Sequence, residues 1–260
     1  MRSEEAIAEP DFGRSLPNAM PMELHWLTGQ QEYKECVRQL ITRNGLRSVC
    51  EIGGGRSPLF DADEVAQLGI DYTVLDVSDE ELALAPPGYH TICADICDAD
   101  LPVKADRFDL MFSVMVAEHV RDGDLMHRNI FSMLKPGGMA FHYMPTLYYP
   151  VFAANLVMPQ RMSTWALRRF ANRPSPKFPA LYSKCMGPTD AMRAYLGRVG
   201  YEVVEYRPFY GSVYFESIPG VRGVERTLSK WAARRRIPWL TSFVYLIVRR
   251  PATGSSVSGS

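Results

Sequence analysis

Segments of helical spacing alternate along this chain with short β-rich runs. Val37, Leu40 and Ile41 fall on one helical side, and Gly45 stands where such a helix would stop. Five runs rich in apolar and β-branched residues follow, at 48–53 (SVCEIG), 71–77 (DYTVLDV), 89–96 (YHTICADI), 108–116 (FDLMFSVMV) and 137–144 (GGMAFHYM). Between most of them lie helical segments, such as 125–134 with Met126, Ile130, Met133 and Leu134 on one side. Strand, helix, strand in repetition builds a parallel sheet covered on both faces. Thr189 as N-cap and Gly200 as stop bracket a later helix, a sixth strand follows it, and 241–250 (TSFVYLIVRR) supplies a seventh. There is no internal repeat. The chain reads as an α/β, doubly wound domain over 33–250, preceded by an N-terminal segment or cap at 1–32. The stretch 145–187 fits the alternation poorly and reads as an insertion after strand five. The small polar residues of 251–260 (PATGSSVSGS) read as a disordered tail.

At 260 residues there is material for one large α/β core or two small ones. The 29 basic residues balance the 29 acidic ones, so no global field favours nucleic acid. Cys36, Cys50, Cys93, Cys97 and Cys185 form an odd set without paired metal spacing. Cys93 and Cys97 could share a helical face, but they flank a strand end, and no metal site is expected. Reduced thiols in a cytoplasmic protein are the expectation. The acidic N-terminus lacks the apolar core of a signal peptide. The most apolar stretch, 139–159, is broken by His142, Pro145 and Pro150, so no span is expected.

The candidate chemistry gathers at strand ends. Three glycines, Gly53, Gly54 and Gly55, follow the acid Glu51 at the end of the first strand. In a doubly wound sheet ligands bind beyond the carboxyl ends of the strands, and bare peptide lets a ligand lie close. An ordinary flexible turn would look the same. Asp76 ends the second strand, where an acid accepts from both ribose hydroxyls. Asp95 ends the third, where a carboxylate accepts from an exocyclic adenine amine beside the apolar Ile96. Each acid alone is as readily a turn former or cap; together they describe an adenosine site. A dinucleotide brings a pyrophosphate, which suits a helix N-terminus with a third glycine and no carboxylate nearby. Here Ser57 occupies the third-glycine position, and Glu51 suits an ammonium or sulfonium better than phosphates.

EIGGGRS, VLDVS, ADICD, FDLMFSVMVAEHV and MLKPGGMAFH, in this order and spacing, resemble the class I S-adenosylmethionine-dependent methyltransferases, especially the ubiquinone/menaquinone-biosynthesis-like branch. The likeness covers roughly 33–145, with weaker agreement in strands six and seven. It implies a Rossmann-like, seven-stranded, mostly parallel sheet with an antiparallel strand seven, and S-adenosyl-L-methionine as cofactor. It also implies that Glu51, Gly53 and Gly55 hold the methionine part, Asp76 the ribose hydroxyls, and Asp95 with Ile96 the adenine, with Gly54 and Val77 also among the cofactor-binding residues. Ser113, or Val114 beside it, would lie beneath the sulfonium. Gly137 and Gly138 in LKPGG read as a helix stop and strand entry.

Methyl transfer of this kind needs an aligned acceptor, exclusion of water and, for a hydroxyl acceptor, removal of a proton. His119, after strand four, is the best-placed base, with a structural role at the helix rim as the alternative. Glu118 reads as a solvated or outlying acid. His142 and Tyr143 point to opposite faces of strand five, so one of them at most faces the cleft; Tyr143 is the candidate, with core packing as its alternative. Tyr148, Tyr149, Phe178 and Tyr182 in the insertion suggest an acceptor lid. In 221–250, Arg226, Lys230 and Arg234 recur on one helical side and Val224, Leu228 and Trp231 mark another. Such a helix suits an anionic membrane or a phosphorylated acceptor, or is an ordinary solvated face over the sheet. The expected function is methyl transfer to a small-molecule, sugar or lipid-linked acceptor, at oxygen. The alternatives are an NAD-type oxidoreductase and a non-catalytic cofactor-binding regulator.

Overall fold

In the computed structural model, which describes residues 26–149, 180–212 and 219–252, seven strands lie in the order β3-β2-β1-β4-β5-β7-β6. They are β1 (Ser48–Ile52), β2 (Asp71–Asp76), β3 (His90–Cys93), β4 (Phe108–Val114), β5 (Leu134–Pro145), β6 (Glu202–Phe209) and β7 (Phe243–Arg249). The first five pair in parallel, while β7 runs antiparallel to both β5 and β6. Order reverses at β1, which sends β2 and β3 to one side and β4 and β5 to the other. That reversal opens a crevice beyond the carboxyl ends of β1 and β4. The expected doubly wound sheet with an antiparallel seventh strand is therefore present.

The helices are α1 (Trp26–Asn44), α2 (Ala62–Leu68), α3 (Asp79–Ala83), α4 (Gly123–Met133), α5 (Asp190–Val199) and α6 (Pro219–Arg235). Helix α1 begins inside the stretch read as a segment preceding the domain. It buries Tyr33, Val37, Leu40 and Ile41 on one face of the sheet. Tyr33 packs its ring on Phe112 and Phe141, and its hydroxyl lies 3.0 Å from the Ser113 and Phe141 carbonyls. The other face takes α4, through Met126, Ile130 and Met133, and α5, through Met192 and Leu196. Thr189 caps α5 by accepting from the Met192 N–H, and Gly200 ends it in the left-handed region. β7 is buried on both faces, as an interior strand must be. Among the described residues no helix is long and apolar enough to cross a membrane.

Three expectations change. β3 stops at Cys93, because the Asp95 side chain accepts from the Cys97 N–H and turns the chain. Gly137 and Gly138 do not stop a helix: α4 has ended at Met133, and β5 is already paired at Leu134. The two glycines sit at an irregularity in β5, where a Cβ on Gly138 would lie 2.9 Å from the Lys135 carbonyl oxygen and 3.0 Å from that of Phe108. The helix read in 221–250 forms, but its apolar residues do not cover the sheet. Its buried side is Ala232 with the half-buried Glu225 and Ser229, while Val224, Leu228 and Trp231 are exposed.

Candidate active site

The loop after β1 holds its shape through Glu51. This side chain is buried, and its Oε2 accepts from the Tyr72 hydroxyl at 2.6 Å and the Leu59 N–H at 2.9 Å. Burial pushes the carboxyl up to about 7 despite those two bonds, and the charge of Asp76 adds to the rise. No described residue donates to Oε1, so one carboxylate oxygen remains to accept from a ligand.

The glycines answer first to the protein's own packing. Gly53 has φ +78° and a Cβ there would lie 2.5 Å from Val116 Cγ2, in the loop after β4. A Cβ on Gly54 would lie 2.9 Å from the Glu51 carboxyl carbon, and Gly55 (φ +44°) lies against Glu81 and the Asp76 Oδ2. The loop thus presses onto its neighbours while Gly53 stays open to solvent. Arg56 pairs with Glu81 of α3, both guanidinium bonds being 2.5 Å. This pair straps the glycine loop to α3 beside Asp76; its partners lie far apart in sequence with no shared periodicity, and the sequence carried no signal for it.

Asp76 spends Oδ1 on the Ser78 N–H at 3.0 Å, and its Oδ2 accepts from no described residue. Val77 beside it is 70% exposed, an apolar surface at the crevice mouth. Asp95 spends Oδ1 on its own turn and holds Oδ2 3.5 Å from the Arg121 guanidinium. Arg121 also donates to the Cys97 carbonyl and Asp98, and Asn129 donates to the carbonyls of Ile96 and Asp98, so the loop after β3 is pinned from α4 and its approach. Ile96 is buried, and its N–H donates to no described residue. Each acid therefore does form a turn, and Asp76 keeps an oxygen in hand.

At the end of β4, the Ser113 hydroxyl is turned into the core, 2.8 Å from His142 Nδ1. Val114 is half-buried at the mouth. His142 packs edge-to-face on His127, and burial lowers the two imidazoles to about 3 and about 4, so both are neutral. Tyr143 lies on the opposite face, buried among Tyr33, Phe209, Phe243 and Tyr245. Burial raises its phenol, which works against service as a base; the packing role prevails.

His119 ends a 3-10 turn, Ala117–His119, and is exposed, with Nε2 3.8 Å from Glu118 Oε1. Glu118 is buried rather than solvated, and residues 181–182 meet its backbone. Leu181 and Tyr182 donate their N–H groups to the Glu118 carbonyl at 2.6 and 3.0 Å. Of the four aromatics assigned to a lid, Phe178 lies outside the described residues. Tyr149 and Tyr182 are buried, and Tyr148 packs on Trp239 with centroids 4.8 Å apart. The five cysteines are free, and no cluster suited to a metal occurs among the described residues.

Sheet order, crevice and acids together define the architecture of the class I methyltransferases. Residues 25–206 match the model of a methyltransferase domain family. The chain belongs to that family and is a methyltransferase enzyme with S-adenosylmethionine as its cofactor. No curated protein matches it. Solved structures similar to it include the [4+2]-cyclase SpnF, at 17% identity and TM-score 0.52, over 86% of this chain and 82% of that one. Another is the citrinin polyketide synthase CMeT domain, at 15% identity and TM-score 0.52, over 85% and 52%. A third is an S-adenosylmethionine-dependent methyltransferase from Mesorhizobium loti, at 18% identity and TM-score 0.48, over 84% and 100%. At such identities the likeness to the first two speaks for the fold alone, and one of them is a cyclase.

Proposed function

We propose that the chain transfers a methyl group to an oxygen of a small-molecule, sugar or lipid-linked acceptor, with His119 as the base. Within the family, the motif series EIGGGRS, VLDVS, ADICD and LKPGG favours the ubiquinone/menaquinone-biosynthesis-like branch. The observation that carries the reading is the row of groups with capacity left at the crevice. Glu51 Oε1 suits the ammonium of the methionine part, Asp76 Oδ2 a ribose hydroxyl, and Asp95 with the Ile96 N–H an adenine edge, which offers an amine donor beside a ring-nitrogen acceptor. Val77 offers the adenine ring an apolar wall.

The same neighbourhood argues against a dinucleotide. The N-terminus of α2 is closed by its own acids: Asp61 accepts from the Glu64 N–H, and Glu64 accepts from the Asp61 N–H. A pyrophosphate would meet carboxylates there rather than unspent N–H groups.

S-adenosylmethionine, when bound, supplies a methyl carbon already activated by its sulfonium. The protein's part is to hold it, position the acceptor and keep water away. His119 takes the acceptor's hydroxyl proton; Glu118, its backbone met by residues 181–182, fixes the turn that carries it. We place the protein in the cytoplasm, where free thiols stay reduced.

Titration calorimetry with S-adenosylmethionine and with NAD tests this reading. S-adenosylmethionine should bind, and Asp76→Ala should weaken it by about 1–3 kcal/mol, the scale of a lost charged hydrogen bond. Tight NAD binding without S-adenosylmethionine binding, or an unaltered titration for Asp76→Ala, would sink it.

A further inference from the structure

Large apolar side chains left exposed on the described surface are not scattered. Five of the eight are Leu181, Val224, Leu228, Trp231 and Trp239. All of these belong to α6, to the turn Pro238–Leu240 after it, or to the irregular segment that meets Glu118. Val224, Leu228 and Trp231 stand at i, i+4 and i+7, one stripe along a helix. They are 70, 48 and 49% exposed, and Trp239 is 59% exposed. The helix seats itself through a polar seam: Glu225 Oε1 accepts from the Tyr149 hydroxyl at 3.0 Å and from Ser229 at 3.0 Å, and Ala232 is buried. A helix that turns its small and polar side inward and its tryptophan outward has a second surface to meet.

The charge says which. Arg222, Arg226, Lys230, Arg234, Arg235 and Arg236 are all exposed, and the single acid of the segment, Glu225, is turned inward. The overall net charge is zero, so this basic face is a local concentration. Arg235 continues the apolar stripe and Arg234 borders it. Aliphatic side chains with tryptophan, edged by arginines, match the boundary of a bilayer with anionic headgroups.

Topology sets this surface beside the cleft. Phe243 pairs with Pro145, so the Pro238–Leu240 turn lies at the sheet end where β5 finishes, the end at which β1, β2 and β4 also finish. Tyr149, just past β5, bonds α6, and Leu181 bonds the turn that carries His119.

We propose that α6 and the Trp239 turn dock this protein on a bilayer surface bearing anionic lipid headgroups, with the cofactor crevice at the membrane-facing end. The docking is independent of the proposed reaction; only its use, to meet a lipid-linked acceptor, rests on that reading, and cofactor titration reports on it separately.

Co-sedimentation of the full chain with vesicles of phosphatidylcholine, with and without phosphatidylglycerol, decides the matter. Binding should require the anionic lipid and weaken with salt, since each basic residue near such a surface adds about fivefold in partition. Trp231→Glu and, separately, Leu228→Glu should each reduce binding about tenfold or more with circular dichroism unchanged. Arg234→Glu with Arg235→Glu should do the same while sparing any residual binding to neutral vesicles. No binding to anionic vesicles, equal binding to neutral ones, or indifference to all these substitutions would overturn the proposal. So would a dimer in solution that Trp231→Glu splits while vesicle binding is absent.

Discussion

Replacing Glu51 with glutamine separates two tasks that one carboxyl performs. The side chain anchors the glycine loop through Tyr72 and Leu59, and in the proposed function it faces a cationic ligand. An amide keeps an oxygen for the first task and gives up the charge needed for the second. The carboxyl ionises near 4.5 in the unfolded chain and near 7 in the folded one, a penalty on the charged form of about 3 kcal/mol. Between those values the folded protein holds the extra proton, so stability falls as pH rises and the whole loss is present above pH 7. Glu51→Gln should therefore stabilise the cofactor-free protein by about 3 kcal/mol at pH 8 and about 1 kcal/mol at pH 5. In a thermal melt this is a rise of several degrees at pH 8, at about 2–4 °C per kcal/mol for a chain of this size. Affinity should move the other way: calorimetry at pH 7.5 should show weaker S-adenosylmethionine binding. A variant that melts no higher than wild type at pH 8, or gains as much at pH 5 as at pH 8, would refute the reasoning about the buried carboxyl. Stability and affinity lost together would mean only a damaged loop.

Gly53→Ala should destabilise the fold by about 2–4 kcal/mol, since it adds left-handed backbone strain to a clash with Val116; a denaturant midpoint equal to wild type would show that the loop yields freely. His119→Ala should lower turnover about 10²-fold or more with cofactor affinity nearly unchanged. Full turnover in that variant would leave His119 a merely structural member of its turn.

Much of the sheet was legible because its signals are local. Alternation of β-rich runs with helical spacing located all seven strands, Thr189 and Gly200 marked α5, and the acids at strand ends follow from where a parallel strand must stop. Element ends were less legible. β3 yields to the Asp95 turn, and Gly137 and Gly138 belong to a strand irregularity, because the hydrogen bond from the Cys97 N–H to Asp95 and the closeness of the Lys135 and Phe108 carbonyls to Gly138 settle those points. Periodicity could show that α6 has an apolar stripe and a basic one, but not which side would be buried.

Local chemistry, then, was enough to determine a doubly wound domain with glycines and acids at its strand ends, since propensity, spacing and turn residues act over a few positions. Only the folded chain could decide which groups at those ends keep a free oxygen. Tyr72 and Leu59 occupy one oxygen of Glu51, His142 draws the Ser113 hydroxyl inward, and neighbouring rings enclose Tyr143. These are contacts between residues far apart in sequence, and their energies depend on burial that exists only once the layers have closed.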